Sequence, residues 1–411
     1  MTEPARKSAG GTITFDTLIV GGGIVGLATA LTLKQRSPER RVGVVEAESA
    51  VSQHQSGHNS GVLHSGLYYR PGSEKALCCR EGKALMEAFC EQHQIPWDRC
   101  GKVVVATTAD EIARLDAIAQ RAKANGVEHR QINTDELREL EPAVAGLAAL
   151  HVPESGIVNY RRVCEVMAGK LTEIGGVARL NCRVTTINQR SGSLHLSSEA
   201  GDSLECGQLV NCGGLYSDRL YRMAGGETDV RIVPFRGEYF ELTQASESLC
   251  RNLIYPVPDP AFPFLGVHFT RMIDGGVECG PNAVLALARE GYSWGNVNPK
   301  DLLETACFSG FRKLAVKHWR MGLGEIHRSL SKTAFVGALQ KLIPSIQSSD
   351  LKPGRAGVRA QAIQPDGQLV DDFLIRRTPH AVHVLNAPSP AATASLAIAS
   401  RIVDQLSSSD G

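Results

Sequence analysis

A chain of 411 residues with 43% hydrophobic and 21% charged side chains has room for two or three domains. Its ordinary composition excludes a disordered chain, a coiled coil and a small disulfide-stapled fold. Forty-four basic against 43 acidic residues leave a net charge of +1, so no global field draws nucleic acid or an anionic membrane, and any such contact has to be local. The 11 cysteines, with no apolar signal core in residues 1–10, are read as reduced thiols of a cytoplasmic protein. Cys78, Cys79, Cys90 and Cys100 lack the paired spacing and the histidine partners of a zinc site, so no metal is expected.

Residues 17–33 are uncharged and apolar, but they fall short of the roughly 20 residues that span a bilayer and contain three consecutive glycines. They are read instead as strand 17–20, turn 21–23 and helix 24–34, and a second strand at 41–46 completes a βαβ unit. Ile112, Leu115, Ile118 and Ala122 recur at helical spacing over 110–125, with Gly126 as the stop, and a further helix over 160–174 ends at Gly175 and Gly176. A hairpin strand at 194–197 and a buried strand at 208–212 follow. Between 230 and 280, alternating segments such as 238–242 and 266–270, separated by prolines at 256, 258, 260 and 263, indicate an antiparallel sheet. The chain turns helical and basic over 299–346, becomes strand-like after 353 and closes with a helix over 391–406. The expected fold is α/β with an α+β second domain: a Rossmann-like nucleotide-binding domain over 12–90, 150–230 and 350–406, interleaved with an antiparallel-sheet substrate or cap domain over 91–149 and 231–349.

Gly21, Gly23 and Gly26 form GxGxxG between the first strand and its helix, and Glu46 ends the next strand. In that context the glycines permit a tight turn, close approach of a pyrophosphate and close helix packing, while the acid accepts hydrogen bonds from a ribose. The fingerprint by itself does not choose between NAD and FAD. No second copy follows another strand, so a single dinucleotide site is expected.

Several segments jointly resemble the L-2-hydroxyglutarate dehydrogenase/oxidase family of D-amino-acid-oxidase-like FAD enzymes. They are QSGHNSGVLHSGLYY at 55–69, VNCGGLYSD at 210–218, RGEY at 236–239, GVHFTR at 266–271, GPN at 280–282 and NAPSPAAT at 386–393. The resemblance runs in order from Phe15 to Leu406. It implies non-covalent FAD and oxidation of the C2 hydroxyl of L-2-hydroxyglutarate to 2-oxoglutarate, with electrons passed to quinone, another carrier or dioxygen. It also implies that Ser60, Gly61 and His64 lie along the flavin ring, that Gly213 and Gly214 approach the cofactor, and that Asn386, Pro388, Ser389 and Ala391 contribute at the start of the last helix.

Hydride removal from C2 needs a base for the hydroxyl proton and cations for two carboxylates. His64 and His268 are the candidates for the base, with flavin reduction expected to rise with pH through a histidine-like transition. Without the motif either histidine reads equally as a hydrogen-bonded core residue. Thr270 shares a strand face with His268. Arg359 is the leading carboxylate clamp, since a guanidinium binds bidentately. Lys75, Arg236 and Tyr255 are weaker substrate-binding candidates that serve equally well as structural partners, and His58 reads as a loop-fixing or cofactor-contacting residue. Residues 311–332 carry Arg312, Lys313, Lys317, Arg320, Arg328 and Lys332 against Glu325, with Phe311, Leu314, Trp319 and Leu323 interleaved. That is a basic amphipathic helix suited to the inner membrane surface, or a solvated face. The rival functions are an amino-acid (amine) oxidase of the same superfamily and a flavin-binding electron-transfer subunit without substrate chemistry.

Overall fold

The computed structural model describes residues 6, 7, 11–190, 192–260 and 265–407. Most of the amino-terminal stretch read for an export signal, and Pro263, lie outside the described residues. The first βαβ unit forms as its pattern requires, with strand Ile13–Val20, helix Ile24–Arg36 and strand Val42–Val45. Val42–Val45 and Ala381–Asn386 are buried at every position, as strands covered on both faces must be. Parallel pairing runs from Val177–Arg179 through Val42–Val45, Ile13–Val20 and Ser203–Asn211 to Ala381–Asn386. Helices Ile24–Arg36, Glu74–Gln92, Tyr160–Glu173 and Ala391–Ser407 contribute to one core against this sheet.

The second sheet runs in the order Val284–Leu285, Arg231–Leu242, Val277–Gly280, His268–Arg271, Leu253–Pro256, Lys102–Ala106, Ala148–Val152 and Arg130–Asn133. It is antiparallel except where Leu253–Pro256 lies parallel to Lys102–Ala106. Strand Leu351–Ile363 pairs with Arg231–Leu242 over most of its length. The expected return to the nucleotide-binding domain at 350 is therefore corrected: residues 351–363 belong to the second sheet, because the long Arg231–Leu242 strand supplies their hydrogen bonds. Alternation along Lys102–Ala106 divides the two sides of this sheet. Val103 and Val105 meet Phe335, Leu339 and Ile343, whereas Val104 and Ala106 meet Leu115, Ile118 and Tyr255.

Two further expectations change. Helix Glu74–Gln92, capped by Ser73, was not anticipated, although Cys78, Cys79, Met86 and Cys90 mark its buried side. The basic amphipathic stretch is two short helices, Ser309–Lys317 and Trp319–Leu330, leading into Lys332–Leu339. All 11 cysteines are free. No helix among the described residues is long and apolar enough to cross a membrane.

Candidate active site

One cavity of about 800 Å³ joins the glycine turn to both candidate histidines. Of the expected residues, Gly21, Gly23, Gly26, Glu46, Ser60, His64, Lys75, Gly213, Gly214, Tyr255, His268, Arg359, Pro388, Ser389 and Ala391 line it. Gly61, Arg236, Thr270 and Asn386 do not.

The nucleotide end is built from backbone. Gly21 has φ +114°, and a Cβ there would sit 2.4 Å from Cys212 O; a Cβ on Gly26 would sit 2.1 Å from Gly21 O. Only glycine lets helix, turn and neighbouring strand approach this closely. The Glu46 carboxylate accepts from Gly22 N (2.6 Å) and Glu48 N (2.9 Å), and Ser56 Oγ accepts from Ile24 N (2.9 Å). These contacts hold the acid at the cavity wall, where it would accept ribose hydroxyls. Cavity size, glycine cradle and acid together fit FAD.

The loop bearing His64 is tied down by Thr393, which sequence reasoning did not single out. Its Oγ1 accepts from His64 N (3.1 Å), donates to Val62 O (3.2 Å) and lies 2.8 Å from Tyr160 Oη. Gly61 O accepts from Val158 N at 2.8 Å, so Gly61 fixes this loop rather than lining the cavity. His58 also fixes the loop, through a 2.9 Å contact of Nδ1 with Ala356 O, and its ring packs on Tyr292. His64 Nε2 is 3.3 Å from Ser389 Oγ. Burial, reinforced by the charges of Lys102, His268 and Lys75, holds His64 well below the usual histidine range.

His268 is 6% exposed and stacks on Tyr255. Its Nδ1 lies 2.9 Å from Gly266 O. A carbonyl only accepts, so Nδ1 carries the hydrogen and Nε2 is the acceptor. Burial first, then Lys102 and Arg359, push its pKa down to about 3, against the hydrogen bond to Gly266. The histidine-like pH transition expected near neutrality is displaced far to acid, because the pocket desolvates both rings.

Arg359 lies opposite Phe235 in the register. Arg236, one residue along, belongs to the other side of the strand: it is fully buried, 2.9 Å from Glu238 Oε1 and 4.4 Å from the Trp294 ring centroid. Arg236 is thus not among the residues that line the cavity, and its charge is met by Glu238. Thr270 is 1% exposed beside Tyr255, behind the lining residues. Asn386 is a clamp, accepting from Ala362 N and donating to Val370 O (2.9 Å) and Asp372 O (3.0 Å). Lys75 lines the cavity while pairing with Asp371 at 2.9 Å. Tyr239 and Gln361 also line the cavity and were not anticipated. Tyr239 closes the RGEY segment at 236–239, and Gln361 stands two residues beyond Arg359 on the same strand.

Residues 16–405 match the family described as FAD dependent oxidoreductase. The chain is 51% identical over 392 residues to L-2-hydroxyglutarate dehydrogenase of Indibacter alkaliphilus, covering 95% of this chain and 98% of that protein. It is 47% identical to the Escherichia coli K12 enzyme of that name, covering 95% and 93%. The human mitochondrial one is 43% identical, with 96% and 89% covered. In fold it is similar to the FAD-bound L-α-glycerophosphate oxidase of Mycoplasma pneumoniae, with TM-score 0.79, 24% identity and 96% and 95% of the chains covered. Glycine oxidase of Geobacillus kaustophilus follows at TM-score 0.72, 17% identity and 95% of each chain. With its glycine cradle, acid and histidine-lined pocket joined in one cavity, this chain belongs to the FAD-dependent oxidoreductase family and, within it, to the L-2-hydroxyglutarate dehydrogenases.

Proposed function

We propose that the protein oxidises the C2 hydroxyl of L-2-hydroxyglutarate to 2-oxoglutarate on non-covalently held FAD. The observation that carries this is the single cavity lined by Gly21, Gly23 and Glu46 and also by His64, His268 and Arg359. Bound FAD supplies the acceptor for the hydride that leaves C2. Neutral His268 takes the hydroxyl proton at Nε2, the ring nitrogen left as acceptor, while His64 orients the hydroxyl or a carboxylate. Arg359 holds one carboxylate through two parallel bonds, and Lys75 attracts the other. Tyr255 packs against the His268 ring and fixes its plane. Anaerobic mixing of the FAD-loaded protein with L-2-hydroxyglutarate should bleach the flavin band, and L-glutamate should not. Bleaching by glutamate alone would establish an amino-acid oxidase, and bleaching by neither would sink the reading.

The electron acceptor in this proposal is a membrane quinone, reached by peripheral docking of the two short helices. Trp319–Leu330 buries no residue; Val316, Trp319, Leu323 and Leu330 are exposed beside exposed Arg312, Lys313, Lys317 and Arg320. Apolar side chains ringed by cations suit an anionic bilayer surface. Co-sedimentation with phosphatidylglycerol vesicles but not phosphatidylcholine vesicles, and faster reoxidation by quinone than by dioxygen, are the expected results. Equal partitioning and dioxygen as the faster acceptor would refute this part alone.

A further inference from the structure

Lys102 opens the Lys102–Ala106 strand and is 1% exposed. A buried ammonium ordinarily has a carboxylate beside it, because a desolvated lone charge is costly. Among the described residues no carboxylate acts on Lys102; the groups that do are the Cys79 and Cys100 thiols. Its Nζ lies instead over aromatic rings, 4.0 Å from the centroid of Tyr255 and 5.7 Å from that of Tyr68.

The strand register explains this seat. Leu253–Pro256 runs between Lys102–Ala106 and His268–Arg271. Leu253 is opposite Lys102, Tyr255 opposite Val104 and Ile254 opposite Phe269. With alternating side chains, Lys102, Tyr255 and His268 share one face of the sheet, the tyrosine in the middle and the two others on its flanks. Tyr255 and His268 line the cavity and Lys102 does not, so the cation stands behind the aromatic wall of the pocket.

We infer that Lys102 is a positioning residue for the dicarboxylate: its ammonium, held against Tyr255, supplies fixed positive charge behind the pocket without touching the substrate. This inference rests on the dicarboxylate reading proposed above. The charge is also switchable. Burial brings Lys102 down to about 8. None of the groups around it changes charge there. Burial raises Tyr68 and Tyr255 well above the usual tyrosine range, Cys79 to about 12 and Cys100 to about 11. His64 lies well below its usual range and His268 at about 3, and Arg359 remains a cation. Above about pH 8 the pocket therefore loses one positive charge, that of Lys102.

The test is calorimetric titration of the FAD-loaded protein with glutarate, which has both carboxylates and no oxidisable hydroxyl. Wild-type affinity should fall roughly tenfold as pH rises through 8. Lys102→Met should be weak by a similar factor at every pH, whereas Lys102→Arg, whose charge persists, should bind tightly throughout. Lys102→Gln serves if the methionine variant does not fold. A variant without the charge that keeps wild-type affinity and pH profile overturns the inference, as does an arginine variant that fails like methionine, the mark of a merely structural lysine. Wild-type protein that binds no glutarate at any pH sinks the dicarboxylate reading, and the role of Lys102 with it. Glutarate binding indifferent to position 102 sinks the lysine alone.

Discussion

The rings of Tyr255 and His268 stack with centroids 4.0 Å apart and 25° between their planes. The stack seals one side of the imidazole from water, and the Lys102 and Arg359 cations add to the penalty on its protonation, so His268 titrates at about 3. A lowered histidine pKa means the ring is already neutral throughout an ordinary assay range. Flavin reduction, followed as kcat/KM in stopped flow, should therefore be flat between about pH 5 and 7. His268→Asn should slow it by about 10² to 10⁴-fold with FAD retained. A limb near pH 6.5 that disappears in this variant would show that His268 is far more hydrated than its stacked position implies.

The glycine turn separates fold from cofactor. At Gly26 an added Cβ meets the Gly21 carbonyl at 2.1 Å, whereas at Gly23 its sole neighbour within 4 Å is Ser56 Oγ at 3.1 Å. Gly26→Ala should lower the Tm and yield apoprotein, because backbone must move. Gly23→Ala should keep the Tm within a few degrees while lowering the flavin-to-protein absorbance ratio. Calorimetry and the visible spectrum decide the matter, and a Gly26 variant with wild-type Tm would contradict the packing.

The arginines should fail differently. Arg359→Lys should raise KM for L-2-hydroxyglutarate about tenfold or more, with flavin content unchanged, since a point charge cannot form the bidentate fork. Arg236→Met should leave KM alone but destabilise the fold by about 2–3 kcal/mol, because Glu238 loses its buried partner. Denaturant titration alongside steady-state kinetics distinguishes the two, and a raised KM with intact stability in the Arg236 variant would return that residue to the site.

Lys102→Met should make the protein more stable. The folded-state value of about 8 lies below the ordinary 10.5, so below about pH 8 the lysine is charged in both states and the folded protein carries the cost of burying it. That cost is relieved as pH climbs from 8 toward 10.5, where both states lose the proton. The Tm advantage of the variant should be largest at pH 7 and shrink by pH 10. A variant less stable than wild type at pH 7 would mean that the ammonium is stabilised by its aromatic seat.

The sequence by itself determined the parts of this protein that are local. Gly21, Gly23, Gly26 and Glu46 were legible because strand, turn, helix and next strand follow one another closely, and steric limits on the turn admit few residues. The helix Ala391–Ser407 and the alternating strands announced themselves by period. Helix Glu74–Gln92 carries its signals in the sequence too, with Ser73 as its cap and Cys78, Cys79, Met86 and Cys90 along its buried side. Arg236 and Arg359 could be ranked as clamp candidates from sequence, and only the tertiary structure shows that Arg359 lines the cavity while Arg236 is buried against Glu238. Nothing in the sequence around Lys102 marks it as belonging to the site. Its role appears when Leu253–Pro256, distant along the chain, pairs beside it and brings Tyr255 over the ammonium. Backbone shape is dictated by neighbours in sequence, but the charge state of a side chain is dictated by the groups that exclude its water, and those arrive only with tertiary structure.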